Sequence, residues 1–168
     1  RDEAIILMVE SNLQRSVILP SEKAFSYKMR LEAMKRQAGR PAQDNYSPLG
    51  NNSFGTKSSD EMAAEVGESK NTIFRYIRLT ELIPELLDLV DEGRIAFRPA
   101  VELSYLQKEE QRALLEQIAY ADATPSLAQA IKLKRFSQDG KLTNEVIESI
   151  MSEEKPNQRE KINIKYAE

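Results

Sequence analysis

Ser59-Asp60-Glu61-Met62-Ala63-Ala64-Glu65-Val66-Gly67-Glu68-Ser69-Lys70-Asn71-Thr72-Ile73-Phe74-Arg75-Tyr76-Ile77-Arg78 has the spacing of a helix-turn-helix. Such a motif needs a small residue where its helices cross, here Ala63. It needs a residue that tolerates positive φ in the tight turn, and Gly67, four positions later, does so without steric cost. Ile73 with Tyr76 or Ile77 supplies the inner face of the second helix, and Met62 and Val66 the buried side of the first. The second helix then turns Ser69, Lys70, Asn71, Arg75 and Arg78 outward. The same pattern also occurs in helical hairpins that are plain packing units.

Outward from this segment the chain reads as helical nearly throughout, and nothing alternates as a strand. The expected fold is all-α: a multi-helix bundle containing the helix-turn-helix, followed by further helices. Ala4 to Leu13 reads as a short helix. Pro20 suits the first turn of the next, with Phe25, Met29 and Leu31 to Met34 as apolar positions. Ser58 with Glu61 reads as a capping box opening the helix that ends at Gly67, and Ser69 caps the helix to about Thr80. Pro84 to Asp91, a helix starting at Pro99, Gln111 to Tyr120, a helix opened by Thr124-Pro125, and Thr143 to Met151 complete the series. Between Gly39 and Lys57 lies a Gly-, Pro-, Asn- and Ser-rich stretch without periodicity, long for a connection inside one domain. From Ser152 onward the chain is charged and reads as a linker.

Composition removes whole classes of function. The 168 residues include no cysteine and no histidine, which excludes disulfides, thiolate zinc sites and the commonest general base and metal ligand. No apolar run approaches the length of a membrane helix. The start at Arg1 without a signal peptide points to a piece of a longer cytoplasmic protein. Adjacent acids such as Asp91-Glu92 and Glu109-Glu110 do not face each other on a helix and make poor metal sites. No catalytic residue and no metal ligand set is expected.

Charge is unevenly spread. The net charge is −3, yet Lys23, Lys28, Arg30, Lys35, Arg36 and Arg40 face a single acid, Glu32, between positions 23 and 40. One face can therefore meet a polyanion while the average stays acidic. A solvated helix face would look the same. A recognition helix presents its N-terminal residues to major-groove base edges, and its free N–H groups suit phosphate. By that logic Ser69, Lys70, Asn71 and Arg75 are candidate base readers. Lys35, Arg36, Arg40, Lys57 and Arg78 are candidate phosphate contacts, with Arg94 and Arg98 as auxiliary ones that could equally pair with acids between Glu81 and Glu92.

Three stretches in order carry a family resemblance: Ser11-Asn12-Leu13-Gln14-Arg15 with Leu19 to Ala24, Val66 to Ile73, and Leu82 to Leu87 with Asp91 to Ile95. They resemble the ParB family of bacterial chromosome and plasmid partition proteins, in the ParB/RepB-like form carried on mobile elements. The resemblance implies a homodimer that binds a palindromic duplex centromere site. It also implies a protein that uses CTP and Mg to close on DNA, and that works with a ParA-type ATPase reached through other regions. Asn12 and, less directly, Arg15 inherit the nucleotide-binding role. Ser11 stands where the family has a glutamate, which removes a carboxylate ligand for a hard cation.

On this resemblance residues 1–19 are the remnant of an N-terminal nucleotide-binding domain. Residues 20–106 form the helix-turn-helix DNA-binding domain with an inserted loop at 39–57. Residues 107–152 extend the same core, and 153–168 form a polar linker. The expected function is sequence-specific recognition of a centromere-like site by a cytoplasmic, nucleoid- or plasmid-associated partition protein. These residues by themselves are expected to be no enzyme and to hold no cofactor, a CTPase being implied only for the intact protein. The alternative is a helix-turn-helix transcription regulator or a nucleoid-occlusion-type protein, which would share the reader.

Overall fold

The computed structural model describes residues 2–13, 18–37 and 56–153. Among these residues it has nine α-helices, one 3₁₀ turn and no strand. In chain order they are α1 (Asp2–Leu13), α2 (Pro20–Gln37), α3 (Thr56–Val66), α4 (Lys70–Arg78), α5 (Pro84–Asp91), α6 (Phe97–Leu103), α7 (Lys108–Ala121), α8 (Leu127–Gln138) and α9 (Asn144–Met151). The 3₁₀ turn Leu79–Glu81 continues α4. Most of the 39–57 stretch and nearly all of the expected linker lie outside the described residues.

Local chemistry sets most boundaries. Pro84 occupies the first turn of α5, where its missing N–H is no loss. Thr143 caps α9 by accepting from the Val146 N–H. Several expected starts move: α1 begins at Asp2 and not at Ala4, and α7 at Lys108, capped by Gln107, and not at Gln111. α3 begins at Thr56, so Ser58 lies in its first turn and not at its cap. Pro99 is the third residue of α6. α8 opens at Leu127 and not at Pro125, because Ser126 and Gln129 form a reciprocal capping box: the Ser126 N–H donates to Gln129 Oε1 at 2.9 Å, and the Gln129 N–H to Ser126 Oγ at 3.3 Å. Thr124 instead donates its hydroxyl to the Arg94 carbonyl at 2.8 Å.

Two apolar clusters form the interior. The larger runs from Ala24 through Leu79, Leu86, Ile95 and Leu103 to Leu114, Leu133 and Ile147, so α2 and α5 to α9 share one core. The smaller joins Tyr27 and Leu31 of α2 to Met62 of α3 and Ile73 of α4. Tyr76 bridges them, edge-on to Tyr27 at 5.8 Å and against Phe97 at 4.5 Å between ring centroids.

The buried side of α2 is not the expected one. Phe25 is 46% and Met29 39% exposed, whereas Ala24, Tyr27, Leu31 and even Arg30, at 4%, are buried. Arg30 is tolerated there because its guanidinium pairs with Glu65 of α3. Ser21, in the first turn of α2, donates its backbone N–H to Asp91 Oδ1 at 2.9 Å, and its hydroxyl goes to the same carboxylate. An anion at a helix N-terminus is favourably placed. Gln111, fully buried, ties two connections together. Its Oε1 accepts from the Ile83 N–H at 2.8 Å, and its Nε2 donates to the Leu106 carbonyl at 3.0 Å.

Candidate nucleic-acid interface

α2, α3 and α4 pack on one another, and α4 keeps an exposed outer side. Ile73 is fully buried, while Tyr76 and Ile77 pack against the interior. That fixes the rotation of α4. Asn71, Phe74 and Arg75 consequently face solvent, one helical turn apart.

The turn before α4 is built as the sequence requires. Gly67 has φ +71° and donates its N–H to the Ala63 carbonyl at 3.0 Å. Ser69 caps α4, its Oγ accepting from the Thr72 N–H at 3.1 Å and lying 2.8 Å from the Thr72 hydroxyl. Between them, Glu68 is held by Lys23 of α2, whose ammonium also sits 4.6 Å from the Tyr76 ring centroid. Lys70 reaches back to Asp60 of α3 at 3.1 Å. The turn and the first residues of α4 are thus braced from both neighbouring helices.

Beneath this brace lies a polar atom pair without good hydrogen bonds. The Tyr27 hydroxyl and Glu68 Oε2 are buried and, among the described residues, neither has a partner of normal geometry. Burial, and next the nearby Glu68 carboxylate, push the Tyr27 phenol above its ordinary range.

The candidate readers and anchors are placed as follows. Asn71 and Arg75 are exposed and make no hydrogen bond or ion pair among the described residues. They line a groove of about 750 Å³ between α2 and α4 that Lys35, Phe74 and Arg78 also line. Lys35, exposed near the end of α2, is likewise without an ion pair among the described residues. Ser69 and Lys70 stand at the N-terminus of α4, engaged as above. Arg78 lines the groove but is held: its Nε and Nη2 donate to Ser104 Oγ and the Ser104 carbonyl at 3.1 and 2.9 Å.

Arg36 does not line that groove and pairs with Asp2 of α1 at 3.1 Å. Arg94 pairs with Asp122 at 3.4 Å, not with the acids between Glu81 and Glu92. Arg98 is exposed on α6. Lys57 lies in the first turn of α3, its side chain outside the described set. Arg40 and Arg15 fall outside the described residues, as does the side chain of Asn12.

Two features escaped the sequence reading. Phe74 is 44% exposed in the middle of the outward face. Its place three residues after Asn71 and four before Arg78 was the signal available. The second is Tyr105, with Arg78 on one contact and Lys134 of α8 on another, at 4.1 and 3.9 Å from its ring centroid. Nothing in the local sequence announces that meeting.

A capped helix with its inner side locked in the core, a glycine turn before it and an outward row of amide and guanidinium groups define the class of helix-turn-helix DNA-binding domains. Residues 51–125 match the family described as the ParB HTH domain. The chain is similar to the chromosome-partitioning protein Spo0J of Thermus thermophilus, with 27% identity over 130 residues. That alignment covers 77% of this chain and 40% of the relative. No solved structure matches. Among the described residues no helix is long and apolar enough to cross a membrane.

Proposed function

We propose that this chain is the DNA-binding part of a ParB-like partition protein and that it reads a specific duplex site with α4. Asn71 and Arg75 contact base edges, joined at the start of the helix by Ser69 and Lys70. Arg suits guanine, Asn suits adenine, and Ser or Lys suits a base edge or a phosphate. Lys35 anchors a phosphate from the rim of the groove, with Arg36, Arg40, Lys57 and Arg78 as further anchors and Arg94 and Arg98 as auxiliary ones. The carrying observation is the pairing state of α4. Its inner residues are packed and its cap is made, yet Asn71 and Arg75 are left facing outward without a partner among the described residues.

In this reading the module binds and does not catalyse. The site is palindromic and the protein acts as a homodimer, because a two-fold site mirrors a two-fold reader. Partition of a chromosome, plasmid or mobile element, with a ParA-type ATPase as partner, is supported by the ParB HTH match and by the name of the Thermus relative. CTP and Mg belong to the longer protein in this reading, with Asn12 and Arg15 as contacts. Ser11 in place of a carboxylate weakens the fit to a hard cation.

The test is selection of sites from random duplex DNA at near-physiological salt. A recovered palindrome, clustered near an origin in the source genome, is the expected result. Weak binding with a steep salt slope and no enriched motif overturns the reading. A palindrome found at promoters favours the second reading, a transcription regulator with the same reader.

A further inference from the structure

We propose that Phe74 is a specificity residue of the reading face, and that it requires a thymine beside the bases contacted by Asn71 and Arg75. The inference rests on the DNA-reading role of α4 argued above and adds a base to it. Ile73 is fully buried, while its neighbour Phe74 is 44% exposed and belongs to neither apolar cluster. The exposed part of its ring lines the groove between α2 and α4, beside Asn71 and Arg75.

Its position says what the ring can reach. Asn71 precedes it by three residues and Arg78 follows by four, while Arg75 neighbours Asn71 and Arg78 at the same spacings, so the four side chains lie within one arc of about 100° on the helix. A partner reached by Asn71 and Arg75 is therefore reached by the Phe74 ring as well. The surroundings favour a polyanion over an apolar protein. The groove holds four cations, Lys28, Lys35, Arg75 and Arg78, against two acids, Glu32 and Glu81. Along the major groove of unmodified DNA, the one apolar group that a base edge presents is the C5-methyl of thymine. A phenyl ring flanked by an amide and a guanidinium is thus matched to a methyl flanked by hydrogen-bonding edges.

The methyl can be removed without touching any hydrogen bond, which makes the test an atomic one. Site selection is run with the 168-residue chain on two random duplex libraries, one amplified with thymidine and one with deoxyuridine triphosphate. Affinities are then measured for the selected site with uracil at each thymine in turn. The expected result is an invariant thymine in the first library that loses its constraint in the second. At that position, replacement by uracil weakens binding about fourfold, the worth of one buried methyl. Phe74→Ala binds the thymine and uracil duplexes alike, whereas Phe74→Leu keeps part of the difference.

Thermal melts of both variants are expected to match the parent, since the ring is outside the core. Discrimination that survives in a folded Phe74→Ala overturns the assignment to Phe74. A specific site bound equally with thymine and uracil overturns the inference and leaves the DNA-reading role intact. No enriched site in either library overturns that role itself.

Discussion

The guanidinium of Arg78 lies 4.1 Å from the ring centroid of Tyr105, joining the last residue of α4 to the turn that follows α6. The Lys134 ammonium lies 3.9 Å from the same centroid and pairs with Glu102 at 2.8 Å. α4 is therefore tied at its C-terminal end to α6 and α8, while Lys23 and Asp60 brace the other end. Arg78→Ala removes this ring contact and two hydrogen bonds to Ser104, and a loss of about 1–3 kcal/mol in stability is expected. Urea denaturation of Arg78→Ala, Tyr105→Ala and the double variant checks it. The two losses should fall short of additivity, because they share one contact.

Arg75 and Lys35 line the same groove and should separate by their effect on sequence. Arg75→Ala is expected to cost about 1–3 kcal/mol on the selected site and to relax preference at one base pair. Lys35→Ala should weaken all duplexes alike and lower the salt slope by roughly one. Fluorescence titrations at several salt concentrations on specific and scrambled duplexes distinguish the two. Neither change should move the unfolding midpoint, as neither side chain has a partner among the described residues.

Gly67 is a backbone case. A Cβ added there would meet nothing within 4 Å, so sterics with neighbours contribute nothing. The cost comes from its φ of +71°, which an L side chain adopts at about 1–2 kcal/mol. Gly67→Ala is expected to lose that amount in denaturant unfolding, and Gly67→Asn less. Equal stability of all three would show that the turn relaxes.

Tyr27 predicts an alkaline weakness. Its phenol ionises above the ordinary value near 10.0 in the folded chain, chiefly through burial and then through Glu68. The raised value means that folding favours the neutral phenol. This contribution is fully present below about pH 10 and is lost as the pH climbs towards the folded value. Tyr27→Phe should remove that part of the alkaline decline. At neutral pH it should leave stability unchanged or slightly higher, because the hydroxyl it deletes lacks a well-formed hydrogen bond. Unfolding midpoints at about pH 7 and above about pH 10 provide the comparison.

What could be read in advance was local. Gly67, Ser69 and Pro84 announce a turn, a cap and a helix start through chemistry within four residues, and the structure places them as expected. Ser126 with Gln129 carried an equally plain capping signal that Thr124-Pro125 masked. The phase of α2 was misjudged because Phe25 and Met29 outrank Ala24 and Tyr27 in hydrophobicity. Its buried stripe also includes Arg30, whose partner Glu65 lies 35 residues away. Of the interface, the turn, the cap and Ile73 were legible, and so were the outward Asn71 and Arg75. Phe74 was passed over for its apolar character. The hold on Arg78 was hidden for another reason: Ser104 and Tyr105 come from a separate helix connection.

The family match ends at residue 125, but the buried cluster does not. Ala130 and Leu133 of α8 and Ile147, Ile150 and Met151 of α9 belong to the same interior as Leu86, Leu103 and Leu114. Ala24 of α2 enters it from the other side. The span matched by the family is thus smaller than the span that shares one buried interior. Amide protons in α4 should exchange in step with those of α8 and α9, through a shared cooperative opening. Trimming the chain to the matched segment would strip Ala24, Ala130, Leu133, Ile147, Ile150 and Met151 from an interior that the segment cannot close by itself.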